Sequence, residues 1–159
     1  MKTKLDKAVA DGLVTASRNG ALTIYNYSQR CVYERLWDDT TLAARGLVLN
    51  DHGNILARPF RKFFSLNERP ETMVAALPPG VPELSHKYDG SMVIVFFDGT
   101  RWRAATRGCW ENAQTEFAKK WLAKNADKLQ KAFTYLFELV APWNRIVVHY
   151  AKADMVVIG

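Results

Sequence analysis

Lys87-Tyr88-Asp89-Gly90-Ser91-Met92-Val93-Ile94-Val95-Phe96-Phe97-Asp98-Gly99 is the stretch that decides the fold. Met92 to Phe97 is apolar without interruption. A half-exposed strand would alternate apolar and polar positions, so this run predicts a strand buried on both faces. Asp98-Gly99 is a two-residue turn signal, and it predicts a hairpin with arms 91–97 and 100–106 that the chain enters through 84–87.

Working outward, a second hairpin precedes it. Residues 45–50 and 55–58 flank Asp51-His52-Gly53-Asn54, a turn-rich tetrapeptide. Residues 21–27 predict a strand, and 28–40, polar and aromatic by turns, predict irregular structure. Residues 1–18 predict a helix with Leu5, Val9, Leu13 and Val14 on one side, stopped by Asn19-Gly20. Downstream, 113–131 predicts a helix. Phe117, Trp121, Leu122 and Leu129 fall on its inner side, and Lys119, Lys120, Lys124, Lys128 and Lys131 mostly outside. Three more strands are expected at 135–140, 145–150 and 155–158. The loop at 78–82 is the only candidate internal boundary, and 1–159 reads as one domain of the α+β class built on antiparallel sheet.

The 159 residues suffice for one domain with a core. At 48% apolar and 24% charged, the composition excludes a disordered or collagen-like chain. Lys and Arg total 22 against 16 Asp and Glu, a formal charge of +6, which suits a polyanionic partner. Cys31 and Cys109 form no CxxC pair, so a reducing cytosol is the expected setting. No window is apolar enough to span a membrane, and Met1 to Lys7 lacks the apolar core of a secretion signal. The expected location is therefore cytoplasmic, with no membrane partner. His52, His86 and His149 match no metal-ligand spacing.

Lys87-x-Asp89-Gly90 carries the chemistry. Lys-x-Asp-Gly arises by accident in on the order of one chain in thirty of this length. One reading is a β-turn bent by Asp89-Gly90 with a solvated Lys87. The other is a nucleophilic lysine, whose neutral amine attacks phosphorus while Gly90 lets the backbone approach a sugar or phosphate. Glu138 stands in an apolar strand, where a lone carboxylate is costly unless paired. Arg45 before Gly46 reads alternatively as a turn cation, Lys62 as an edge-strand charge, Phe64 as core, and Tyr25 as core or ligand contact.

Three phrases decide between these readings: Arg45-Gly46, Lys62-Phe63-Phe64-Ser65-Leu66-Asn67-Glu68, and Phe137-Glu138-Leu139-Val140-Ala141-Pro142-Trp143-Asn144-Arg145-Ile146-Val147. With Lys87-x-Asp89-Gly90, the chain from about Tyr25 onward resembles the ATP-dependent RNA ligases of the T-even phage RNA ligase 1 type. These belong to the covalent nucleotidyltransferase superfamily. The resemblance implies an antiparallel-sheet nucleotidyltransferase core, ATP-grasp-like. It implies ATP and Mg2+ or Mn2+ as cofactors and RNA ends as partners, with repair of a nicked tRNA as one setting. Lys87 would be the nucleophile that takes AMP from ATP, before AMP passes to an RNA 5′-phosphate and a 3′-hydroxyl displaces it. Tyr25 would lie near the nucleotide, Arg45 and Lys62 would contact phosphates or ribose, and Phe64 would stack on adenine. Asp89 and Gly90 would border the nucleotide, with Gly90 under the ribose. Glu138 would bind ribose or support a metal-bound water, no residue ligating metal directly. Arg107, in Thr106-Arg107-Gly108, resembles a family phrase with a basic residue near the phosphates. Cations placed around phosphate oxygens both neutralise charge and favour the neutral amine by like-charge repulsion.

In the family, a metal-holding carboxylate and a lysine pair lie downstream of the last strand expected here. The resemblance therefore implies a core truncated before its last motifs. A non-catalytic nucleotide- or RNA-end-binding remnant is one alternative. A half-domain completed by another chain pairing with 155–158 is a second.

Overall fold

The computed structural model describes residues 1–159. Its strands form two antiparallel four-stranded sheets. The first is a meander, β1 (Val14–Asn19), β2 (Leu22–Tyr27), β3 (Arg45–Asn50) and β4 (Ile55–Ala57), in that order. The second contains β5 (Ser91–Phe97), β6 (Trp102–Ala105), β7 (Tyr135–Val140) and β8 (Asp154–Val157), in the order β6-β5-β7-β8. The helices are α1 (Lys2–Ala10), α2 (Gln29–Tyr33), α3 (Asp39–Ala43) and α4 (Ala113–Asn125). The class is α+β with antiparallel sheets.

Strand alternation builds four layers. Leu22, Ile24 and Val48 of the first sheet meet Ile94, Phe96 and Leu136 of the second in one cluster. The other face of the second sheet packs Val93, Val95, Phe137 and Leu139 on Ala118 and Leu122 of α4. The other face of the first packs Tyr25, Leu47 and Leu49 on Leu5 and Ala8 of α1. β5 is therefore buried on both faces, with Val93, Ile94, Val95 and Phe96 all 0% exposed. Each such side chain contributes about 1.5–3 kcal/mol of burial. Lys119, Lys120, Lys124, Lys128 and Lys131 are all exposed, and α4 starts at a capping box between Asn112 and Thr115.

Several expectations are corrected. The helix at 1–18 ends at Ala10, because Gly12 turns the chain at φ +71° and the β-branched Val14-Thr15 starts a strand. Leu5 and Val14 still share one core, but Asn19-Gly20 is the β1–β2 turn and not a helix stop. Residues 28–40 are not irregular throughout. Ser28 and Asp38 accept from the Cys31 and Thr41 N–H groups and cap α2 and α3. Phe97 pairs with Trp102, so the hairpin connection is 98–101 and the second arm starts later than expected. α4 closes at Asn125, with one 3-10 turn at Ala126–Lys128. Residues 145–150 form no strand, because the Val147 and Val148 amides donate to a side chain instead. No helix is long and apolar enough to cross a membrane.

Candidate functional site

The site forms where the two sheets part at one end, around the start of β5. Gly90 sits against β7: a Cβ there would collide with the Leu139 carbonyl, so only glycine allows this approach. Its N–H donates to Glu138 Oε1 at 2.9 Å. Glu138 lies opposite Met92 in the β5–β7 register, on the face of β7 that carries Leu136 into the space between the sheets. It is half-buried, and burial pushes its carboxyl above the usual range. The Gly90 N–H and the Lys87 and Arg45 charges offset part of that.

Arg45 reaches the same space through a bulge. Leu47 of β3 opposes Tyr25 and faces α1, so strict alternation would send Arg45 to that outer face as well. The register shifts between Tyr25 and Asn26, and Arg45 opposes Asn26 with Gly46 extra at φ +88°. The bulge re-aims Arg45 inward. Gly46 also lets the sheets close, since a Cβ there would strike Ile94 and crowd the Arg107 backbone. Arg45 Nη1 lies 3.4 Å from Met92 Sδ, and its guanidinium is 5.2 Å from the Phe63 ring centroid. Burial, then the Arg107 guanidinium, push the Arg45 pKa down.

Two clefts share Arg45, Met92 and Glu138 as a common wall. The larger, about 490 Å3, adds Gly90, Arg107 and Asn26. The neighbouring one, about 450 Å3, adds Lys87, Tyr88, His86 and Phe63. Lys87 is exposed at the rim, within Coulombic reach of Asp89 and Glu138. Arg107 Nη1 donates to the Tyr27 hydroxyl at 2.8 Å. Asn26 Oδ1 is the one buried side-chain polar atom with no partner.

The structure thus brings Lys87, Arg45, Gly90, Arg107 and Glu138 together. It does not bring Tyr25, Lys62 or Phe64. Tyr25 is 3% exposed and faces α1, its hydroxyl on Asp6 Oδ1 at 3.2 Å, because alternation along β2 turns Asn26 inward and Tyr25 outward. Lys62 and Phe64 line a third cleft with Trp37, while Phe63 between them faces the Lys87 cleft. Asp89 is committed elsewhere. Its Oδ2 accepts the Val147 and Val148 N–H groups, both at 2.7 Å, and its own N–H donates to the Tyr150 hydroxyl at 3.0 Å. Those amides, Val148 first, hold its carboxyl below the usual range. Asp89 positions the Lys87 loop and does not face the clefts. Asn26 and Met92 were missed from sequence. The signal was there in the even-numbered phase of Leu22, Ile24 and Asn26.

Chemically, the clefts offer three cations, one half-buried carboxylate and one buried acceptor awaiting a donor. That set fits a nucleotide, which presents phosphate oxygens together with hydroxyl and amine donors. No group of three or more His, Cys, Asp or Glu side chains is placed to cage a metal ion. A divalent ion here would depend on phosphate oxygens and water, as Mg2+ commonly does.

Residues 43–159 match the family described as RNA ligase. The chain is 33% identical over 121 residues to a protein of Thermovibrio ammonificans named "Putative RNA ligase", an alignment covering 70% of this chain and 32% of that protein. It is 26% identical over 196 aligned positions to the RNA ligase of Rhodothermus phage RM378, covering 94% of this chain and 43% of that one. The chain therefore spans less than half the length of these relatives. Its match over most of its length, Lys87, Arg45 and Glu138 included, makes the chain a member of the RNA ligase family of the T-even phage RNA ligase 1 type.

Proposed function

We propose that this chain is a nucleotidyltransferase part of an RNA ligase. It binds ATP and forms lysyl-AMP on Lys87 for sealing RNA 5′-phosphate and 3′-hydroxyl ends. The observation that carries this reading is that Lys87 lines one of two clefts whose common wall holds Arg45 and Glu138, with Gly90 against Glu138.

The Lys87 amine attacks the α-phosphorus. An N–P bond forms, the bond from that phosphorus to the bridging oxygen breaks, and pyrophosphate leaves with the electron pair while the amine sheds its proton to water. An RNA 5′-phosphate oxygen then attacks the same phosphorus and releases Lys87, and a 3′-hydroxyl finally displaces AMP. Arg45 and Arg107 supply charge to the phosphate oxygens, and catalysis is mostly such placement. Asn26 Oδ1 accepts from a hydroxyl or amine of the nucleotide. Mg2+ or Mn2+ would add positive charge at the phosphates, with Glu138 holding it through water. Nicked tRNA is one substrate of the proposed class.

Intact-protein mass with and without ATP and divalent metal tests this. The wild type gains the mass of one AMP and Lys87→Ala gains none. No adduct at high protein and metal concentration would sink the proposal. Lys87 lies exposed with Lys62 in a different cleft, and this favours a second reading, a nucleotide- or RNA-end binder without transfer. That reading predicts ATP binding by calorimetry and no adduct. Completion by another chain along the β8 edge, 155–158, predicts an adduct only in the assembled pair.

A further inference from the structure

Residues 144–150 hold the Lys87 turn from both ends. Before Gly90, the Asp89 N–H donates to the Tyr150 hydroxyl, and Asp89 Oδ2 accepts the Val147 and Val148 N–H groups. After it, Ser91 Oγ donates to Asn144 Oδ1 at 3.0 Å. Asn144 is 8% exposed, the one buried carboxamide of the chain. Its Oδ1 also accepts from Gln114 Nε2 of α4 at 2.9 Å, and its Nδ2 donates to the Leu139 carbonyl at 2.7 Å. That carbonyl is the group a Cβ at position 90 would strike. The Asn144 N–H donates to the Ala141 carbonyl at 3.0 Å, in the 3-10 turn Pro142–Asn144 that follows β7. One side chain thus joins the start of β5, the end of β7 and the first turn of α4.

A carboxamide taken out of water is costly unless its hydrogen bonds are made, and an apolar side chain would fill the same volume without that penalty. What the carboxamide supplies is direction. Oδ1 faces two donors and Nδ2 faces a carbonyl, so the amide plane cannot turn without losing three bonds. Gly90 lies between two of these partners, next to Ser91 in the chain and against Leu139 in space, and its N–H donates to Glu138. A shift of Asn144 therefore moves Gly90, and with it the bond to Glu138 and the approach of Lys87. In-line attack tolerates little of this, since a displacement of about 1 Å can cost roughly a hundredfold in rate. We propose that Asn144 is a positioning residue, which fixes Ser91 and the Leu139 carbonyl on either side of Gly90 and, through Gln114, ties the Lys87 turn to α4. Asn144 lines neither of the two clefts that meet at Glu138, whereas Ser91 and Gln114 line the larger one, so it acts through its neighbours. The effect on rate rests on the ligase reading, and the tie itself does not.

The test follows single-turnover AMP uptake by the full chain across a series of ATP concentrations, together with hydrogen exchange at the Gly90 amide. Asn144→Ala lowers the maximal rate at least about tenfold, leaves the half-saturating ATP concentration within about twofold, and speeds Gly90 exchange. Gln114→Met removes one donor and keeps a good helix former in α4. It lowers the maximal rate in the same way but less, and adds nothing in the Asn144→Ala background, because its effect passes through Asn144. Should Asn144→Ala fail to fold, Gln114→Met decides by itself, through a lower maximal rate at unchanged half-saturation and faster Gly90 exchange. An unchanged maximal rate in the folded variants would overturn the proposal. So would a raised half-saturating concentration at unchanged rate, which would make Gln114 a ligand contact, or fully additive losses in the double variant. If the wild type takes up no AMP, the ligase chemistry falls and Gly90 exchange alone decides: faster exchange in the variants sustains the tie, and equal exchange removes it.

Discussion

Asp98 shows how much one side chain can organise. Its carboxylate accepts from the Thr100 N–H and hydroxyl, the Arg101 N–H and Arg103 Nε, and its side chain is 6% exposed. Burial works against its ionisation. The hydrogen bonds from Thr100, Arg101 and Arg103 outweigh burial and hold the carboxyl well below the usual carboxylate range. A carboxyl depressed by folding stabilises the protein above its unfolded value near pH 3.9, and that contribution fades as pH falls through the folded value. Asp98→Asn is expected to cost about 1–3 kcal/mol in urea denaturation at neutral pH. The gap to wild type should narrow as the pH drops below about 4. A gap that stays constant into acid would contradict this account. At this scale the family phrases name Lys87, Arg45, Arg107 and Glu138, and the structure gathers these four along the paired clefts. Tyr25 turns to α1 and Lys62 and Phe64 to another cleft, because a motif names residues without saying which face of the chain each one takes.

Among the elements, the segment 145–150 is the clearest departure from a local reading. Its Arg145-Ile146-Val147-Val148 run has strand composition, yet the Val147 and Val148 amides cap the Asp89 carboxylate. A tertiary acceptor overrides β-propensity, which mostly reflects fit to a neighbouring strand. The segment is thereby tied to the loop that carries Lys87. Asp89→Ala should speed hydrogen exchange at Val147 and Val148 by at least roughly tenfold, the loss of a charge-assisted bond, and leave β5 and β7 amides unchanged. Equal protection in both proteins would show that the tie does not hold the loop. β5, β7 and α4 were readable because their apolar patterns are long and consistent. The end of α1 and the whole of α2 and α3 were not, because Gly12, Ser28 and Asp38 act through single backbone or capping events that periodicity does not register.

For the whole molecule, the sandwich follows from β5. A strand apolar on both sides needs a cover on each, and α4 and the first sheet supply them. The sequence alone marked the need without naming the partner, since pairing between sheets separated by residues 58–90 leaves no local trace. Every pairing in the first sheet joins neighbours in the chain, whereas β5 must wait for β7 on the far side of α4. Short-range pairings close with less entropy to overcome and therefore sooner. As the nascent polypeptide leaves the ribosome, the meander can zip shut while its mate is still being translated, its Ile24 and Val48 side tacky and bare. Pulse-labelled refolding should then find β1 to β3 guarded ahead of β5 and β7, and simultaneous protection would show instead that neither half persists without the other.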